Sequence, residues 1–159
     1  MRADVPRFLG DLRSHHLAVA DANVLIYHLE GLVPYVDLTR ELLTHLSGGA
    51  LRLVVSVLTA AEVLAGPYRV HSRVKVEQTM MFLRGLPNTE LAEVTLPVAD
   101  RAAWLRSHGL RMPDALVMGT AMVRGAGVVL TNDPAFRRKI PGAPRVLLLD
   151  DYCSPRRGS

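Results

Sequence analysis

Five short aliphatic runs, separated by stretches with helical spacing, restrict this chain more than any other feature of its sequence. The runs are "LAVAD" (17–21), "LRLVVSV" (51–57), "LAEVTLP" (91–97), "GVVLTND" (127–133) and "RVLLLDD" (145–151). Their near-continuous apolar character is that of strands covered on both faces. Between them, apolar residues recur at helical intervals: Leu42, Leu43 and Leu46 after Val36, Val63 and Leu64 after Ala60, then Val76, Met80 and Leu83, then Ala102, Ala103 and Leu105. Strands alternating with helices imply a mainly parallel sheet joined by right-handed crossovers, so the expected class is α/β with three layers. In such sheets ligands bind beyond the carboxyl ends of the strands, where the strand order reverses.

The length, 159 residues, suits one compact domain, and no Pro/Gly-rich linker or repeat divides it. Aromatic residues make up only 5% of the chain, so the core is aliphatic and a platform of stacked aromatics for single-stranded bases is not expected. The net charge is +4 and nearly all basic residues are Arg, which permits a nucleic-acid partner held by charge, although a GC-rich coding bias produces the same composition. A single cysteine, Cys153, rules out a disulfide framework or a cysteine-based zinc site within one chain and points to the reducing cytoplasm. The N-terminus is charged throughout, and no apolar stretch approaches the roughly 18 residues of a spanning helix, so neither export nor a membrane is expected. HExxH, GxxxxGK[ST] and GxSxG are absent, and "RGAGVV" precedes its strand where a dinucleotide turn would follow one.

Four acids stand out. Asp21 closes the first strand, Asp133 closes the fourth in "VVLTND", Asp114 opens a helix in "RMPDALVMG", and Glu62 lies on the helix after the second strand in "SVLTAAEVLAGP". Asp21, Asp114 and Asp133 each have an ordinary structural reading as helix caps or as charges favoured at a helix start. Glu62 is harder to dismiss: Ala60, Ala61, Val63, Leu64 and Ala65 suggest a largely buried helix, where an ionised carboxylate needs a partner. Carboxylates brought together without cationic side chains repel one another unless something positive intervenes. Oxygen-only ligands point to a hard cation, Mg²⁺ or Mn²⁺, and a pair of such ions about 3.5 to 4 Å apart supports phosphodiester hydrolysis. Asn23 and Thr131 stand where they could support the acids or simply serve as turn residues, and Arg137, Arg138 and Lys139 could grip RNA phosphates or form a solvated face.

The ordered pieces "VADANVLIYHLEG", "VVSVLTAAEVLAGP", "RMPDALVMGTAMVRGAGVVLTND" and "PAFRRK" resemble the PIN-domain ribonucleases, and more narrowly the small VapC-type toxins of toxin-antitoxin pairs. The resemblance runs from about residue 17 to the last strand. It implies a five-stranded parallel sheet with the first strand near the middle, which would set Asp21 beside Asp133. It also implies that Asp21, Glu62, Asp114 and Asp133 hold Mg²⁺ or Mn²⁺, with Asn23 and Thr131 in support. The implied activity is hydrolytic cleavage of RNA by a homodimer, inhibited by a cognate antitoxin whose segment enters the acidic groove.

On this reading residues 1–16 form an N-terminal extension, 17–152 the PIN-like domain and 153–159 a polar tail. Members of this type often begin almost directly at the first strand, so the sixteen preceding residues are either a misassigned start or a genuine arm. Gly119, with Met118 at a place where the family usually has small alanines, would preserve close helix packing. Two other functions compete with the nuclease. One is a catalytically silent PIN-like module that binds RNA or protein; the other is an aspartyl phosphatase, disfavoured because Asp21-Ala22-Asn23 lacks a DxD pair.

Overall fold

The computed structural model describes residues 1–154. Strand β1 (Arg2–Ala3) and helix α1 (Val5–Leu12) come first. Then follow β2 (Leu17–Ala20), α2 (Ala22–Leu29), α3 (Tyr35–Ser47), β3 (Arg52–Ser56), α4 (Val57–Arg69), α5 (Arg73–Gly85) and β4 (Thr89–Ala92). The chain continues through α6 (Leu96–Ser107), α7 (Met112–Arg124), β5 (Val128–Thr131), a 3₁₀ turn over Pro134–Arg137, β6 (Arg145–Leu148), a second 3₁₀ turn over Leu149–Tyr152, and β7 (Cys153–Ser154). Five strands form one sheet in the order β4-β3-β2-β5-β6, parallel throughout. The order reverses between β2 and β5, so the crevice expected for a ligand opens where Asp21 and Asp133 leave the sheet.

The period of two along the strands explains why three layers form. Ala18, Ala20, Leu53, Val55, Val128 and Leu130 face a core shared with Leu25, Leu38, Leu42 and Leu46 of α2 and α3. Their neighbours Val19, Val54 and Val129 face a second core with Ala102, Leu105, Ala115 and Met118 of α6 and α7. Both faces are covered, so no position in the central strands needs a polar residue. Gly119 allows α6 and α7 to close: a Cβ there would stand 3.2 Å from the carbonyl oxygen of Val98 and 3.3 Å from the amide nitrogen of Ala102.

The third strand differs from the expected 91–97 and spans Thr89–Ala92. The chain leaves the sheet early because the Thr95 side chain accepts from the Val98 amide and caps α6, while Pro97 sits in the first turn, where a missing N–H costs nothing. A second difference concerns α4, expected to be largely buried. Only Thr59 and Val63 are buried in it, while Val57 and Tyr68 are 41% and 62% exposed. Ala61 and Ala65 border a surface depression, while Ala60 packs against the core.

The first sixteen residues are folded against the domain. The Asp4 side chain accepts from the Arg7 amide and starts α1, which turns Phe8 and Leu12 fully inward. Phe8 meets Tyr152 edge to face at 5.2 Å, the Tyr152 hydroxyl donates to Asp11, and β1 pairs antiparallel with β7. Cys153, placed with the tail on sequence, therefore lies in a strand, and burial pushes its thiol up to about 11, away from thiolate chemistry. Residues 155–159 of the expected tail lie outside the described residues. Phe8→Ala is expected to cost about 3–5 kcal/mol in urea unfolding, the range for emptying a buried aromatic site. A loss below about 1 kcal/mol would show that α1 is an appendage. No described helix is long and apolar enough to cross a membrane.

Candidate active site

Asp21 is the N-cap of α2, and its structural role is real: it accepts from the Ala22 amide at 2.8 Å. The same carboxylate accepts from the Thr131 hydroxyl at 2.8 Å and from the Asn23 side-chain amide at 3.3 Å. Asn23 also donates to Thr131 at 3.3 Å, and its carbonyl oxygen accepts from the Asn132 amide at 3.0 Å. Thr131 in turn accepts from the Asp133 amide at 3.1 Å. A closed set of bonds thus ties the end of β2 to the end of β5 and fixes Asp21, only 8% exposed, beside Asp133. Asp133 caps the 3₁₀ turn by accepting from the Ala135 amide at 2.8 Å.

Helices bring the other two acids. Glu62 lies in the second turn of α4, and Asp114 lies in the first turn of α7, where the helix dipole welcomes its charge. One open depression is lined by Asp21, Asn23, Glu62, Asp114 and Asp133, with Ala22, Ile26, Ala61, Ala65 and Arg69. All four acids singled out in the sequence therefore share one surface, although they are spread over 112 positions (133 − 21) of chain.

The electrostatics show their crowding. Burial raises the pKa of Asp21, opposed by its bonds from Thr131 and Ala22 and reinforced by the charge of Asp133. Burial likewise raises Glu62, and the charges of Asp21 and Asp114 raise it further. Asp114 is raised by burial, then by Asp133 and Asp21, with Arg111 acting weakly against them. Three carboxylates held above their usual range by burial and by one another form a site that favours a positive charge.

The donors present fit a hard divalent cation: they are carboxylate oxygens, supported by an amide and a hydroxyl. Among the described residues no three His, Cys, Asp or Glu groups are gathered closely enough to enclose an ion by themselves.

The other sequence candidates lie elsewhere. Arg137, Arg138 and Lys139 are exposed and do not line the depression: Arg137 pairs with Asp151, and the guanidinium of Arg138 rests against Gly109. Two residues escaped the sequence reading. Asn132 joins the bonded set at Asn23 to the segment after β6 and to α2, since its side chain accepts from the Asp150 amide at 2.8 Å and donates to Tyr27 at 3.4 Å. Arg69 lines the depression itself. Its only sequence signal was the spacing of seven from Glu62, which puts both on one face of a helix.

The fold and this site define a class: a three-layer α/β/α domain with an acidic depression at the switch point of a parallel sheet. The family model of the PIN domain matches residues 18–140. The chain belongs to the PIN-domain family. Among solved structures it is similar to a toxin-antitoxin complex from Klebsiella pneumoniae, with 24% identity over 83% of this chain and 97% of that one and a TM-score of 0.63. VapBC2 from Rickettsia felis, bound to a DNA fragment from its promoter, gives 22% identity over 83% and 98% of the two chains, again at 0.63. VapC20 of Mycobacterium tuberculosis, a toxin that cleaves the sarcin-ricin loop, gives 13% identity over 70% and 86%, at 0.57. No curated protein matches the chain in sequence.

Proposed function

We propose that this protein is a metal-dependent endoribonuclease, the toxin of a toxin-antitoxin pair, with Asp21, Glu62, Asp114 and Asp133 as its acidic quartet. The single observation that carries this reading is the meeting of the four carboxylates in one depression, with three of them raised by burial and mutual repulsion. The similarity to VapBC complexes and to an RNA-cleaving VapC supports the choice of RNA and of an antitoxin partner. Intact carboxylates weigh against a silent binding module, because a site with no use for a cation would gain by losing them.

Magnesium or manganese, when bound, supplies the positive charge that offsets the carboxylates and lowers the pKa of a coordinated water. The chain's own residues divide the remaining work. Asp21, its oxygens engaged by Ala22, Asn23 and Thr131, is the rigidly held member of the four. Glu62 and Asp114, raised by burial and by neighbouring negative charge, are the acids that take up a cation or a proton. Asn23 and Thr131 hold Asp21 in one orientation, which keeps the site preformed.

Next to the acids lies a cleft between α2, α4 and α5, about 720 Å³, lined by the apolar Ile26, Leu29, Val63 and Pro67 together with Glu30, Lys75 and Arg69, the last of which also borders the depression. In this reading the antitoxin lays an apolar segment there and presents a basic side chain to Glu62, which borders both spaces. The working form is a cytoplasmic homodimer. Purified protein mixed with structured RNA and Mn²⁺ is expected to release fragments, and EDTA is expected to stop their release. RNA that is retained on the protein but stays whole with every divalent metal tried would instead identify the silent module.

A further inference from the structure

Arg69 is the one cation among the residues that line the acidic depression. It ends α4, two helical turns from Glu62, which places it about 10 Å along the axis from that acid on the same face. Ala65 stands between them and keeps the surface low. A guanidinium in the same depression as four carboxylates would ordinarily be read as their counter-ion. The structure points the other way: none of the described ion pairs or side-chain hydrogen bonds uses Arg69. Nor does it lower the pKa of Glu62, Asp21 or Asp114, whose causes do not include it. Its fork of donors is therefore uncommitted at the mouth of the site.

A polyanion approaching four carboxylates meets repulsion even when cations offset part of it, and a fixed positive group at the rim is what would hold it in place. Arg suits this task because its planar fork matches two phosphate oxygens at once. On the basis of the nuclease reading, we propose that Arg69 is a substrate-binding residue which grips a phosphate flanking the scissile bond of the RNA. It acts on binding and on the register of the strand, and takes no part in the proton transfers at the acids.

The test uses a fluorescein-labelled single-stranded oligoribonucleotide of mixed sequence, with Asp21→Asn as the background that prevents cutting. In that background Arg69→Gln is expected to weaken binding about fivefold to tenfold at moderate salt. It should also flatten the dependence of log affinity on log salt by about 0.7, the value for one phosphate contact on a single strand. Arg69→Lys should restore the salt slope and only part of the affinity, since the charge remains while the fork is lost. In the otherwise native protein Arg69→Gln should raise KM about tenfold and leave kcat within about twofold.

An unchanged salt slope with an unchanged KM would overturn the inference. So would a fall in kcat at constant KM, which would place Arg69 among the reacting groups. Weaker capture of an acidic peptide with RNA binding intact would assign the guanidinium to a protein partner and also overturn it. If the native protein neither bound nor cut RNA, the nuclease reading itself would fail. If it cut RNA normally and only the Arg69 results went against expectation, the inference alone would fall.

Discussion

Asp21→Asn should reduce RNA cleavage by on the order of 10³-fold or more while leaving a folded protein. Outer partners of a metal site are by themselves worth about 10–100-fold, and Asp21 is the residue those partners hold. The substitution keeps the cap, because the side-chain oxygen of Asn still accepts from the Ala22 amide. It removes the oxygen that accepts from both the Thr131 hydroxyl and the Asn23 side-chain amide, a loss on the order of 1–2 kcal/mol. It also removes a buried negative charge that Asp133 opposes, which works in the other direction. The two nearly offset, so the melting temperature in EDTA should stay within a few degrees of the native value. Circular dichroism melts run beside the cleavage assay check both halves. Full activity in the folded variant would mean that the site is elsewhere, and collapse of the fold would mean that Asp21 is principally a cap.

Saturating Mn²⁺ or Mg²⁺ should raise the melting temperature at pH 7 by about 5–10 °C. A ligand at a hundred times its Kd stabilises by about 2.7 kcal/mol. Each kcal/mol moves the midpoint of a domain this size by roughly 2–4 °C. The pH dependence has a definite sign. Burial and mutual repulsion raise the folded pKa values of Asp21, Glu62 and Asp114 above the ordinary carboxylate range, so folding favours their protonated forms. Their contribution to stability is full below those ordinary values and is lost as pH rises through the raised ones. In EDTA, therefore, the acids weaken the fold as pH rises above the ordinary carboxylate range. Added metal should recover stability over that window, and its effect should fade on acidification as protons take its place. Differential scanning fluorimetry at several pH values, with metal and with EDTA, checks this. An equal metal effect in Asp21→Asn would show that the ion binds away from the depression.

Much of the architecture was legible from local pattern. Strand positions followed from aliphatic runs, the helices between them from their spacing, and parallel pairing from the lack of polar alternation. Where local chemistry competed with pattern, the pattern lost. The run at 91–97 looked continuous, but Thr95 and Pro97 begin a helix, and the strand ends at Ala92. Helix α1 went unread because a short amphipathic segment depends on what covers it, and its cover, Tyr152, is 144 residues from Phe8.

By itself the sequence determined the alternation of strands and helices and set an acid at the end of two strands and on two helices. Residues a few places apart on one element carry that information, because helix and strand periods are local. The tertiary structure alone decided which side chains meet. Strand order put β5 against β2, so Thr131 could hold Asp21 and the raised pKa values could arise. It also turned Arg69 into the depression and left Arg137 paired with Asp151 outside it. The physical reason is that charge and burial act through space, over distances fixed only when separate stretches of chain have packed together.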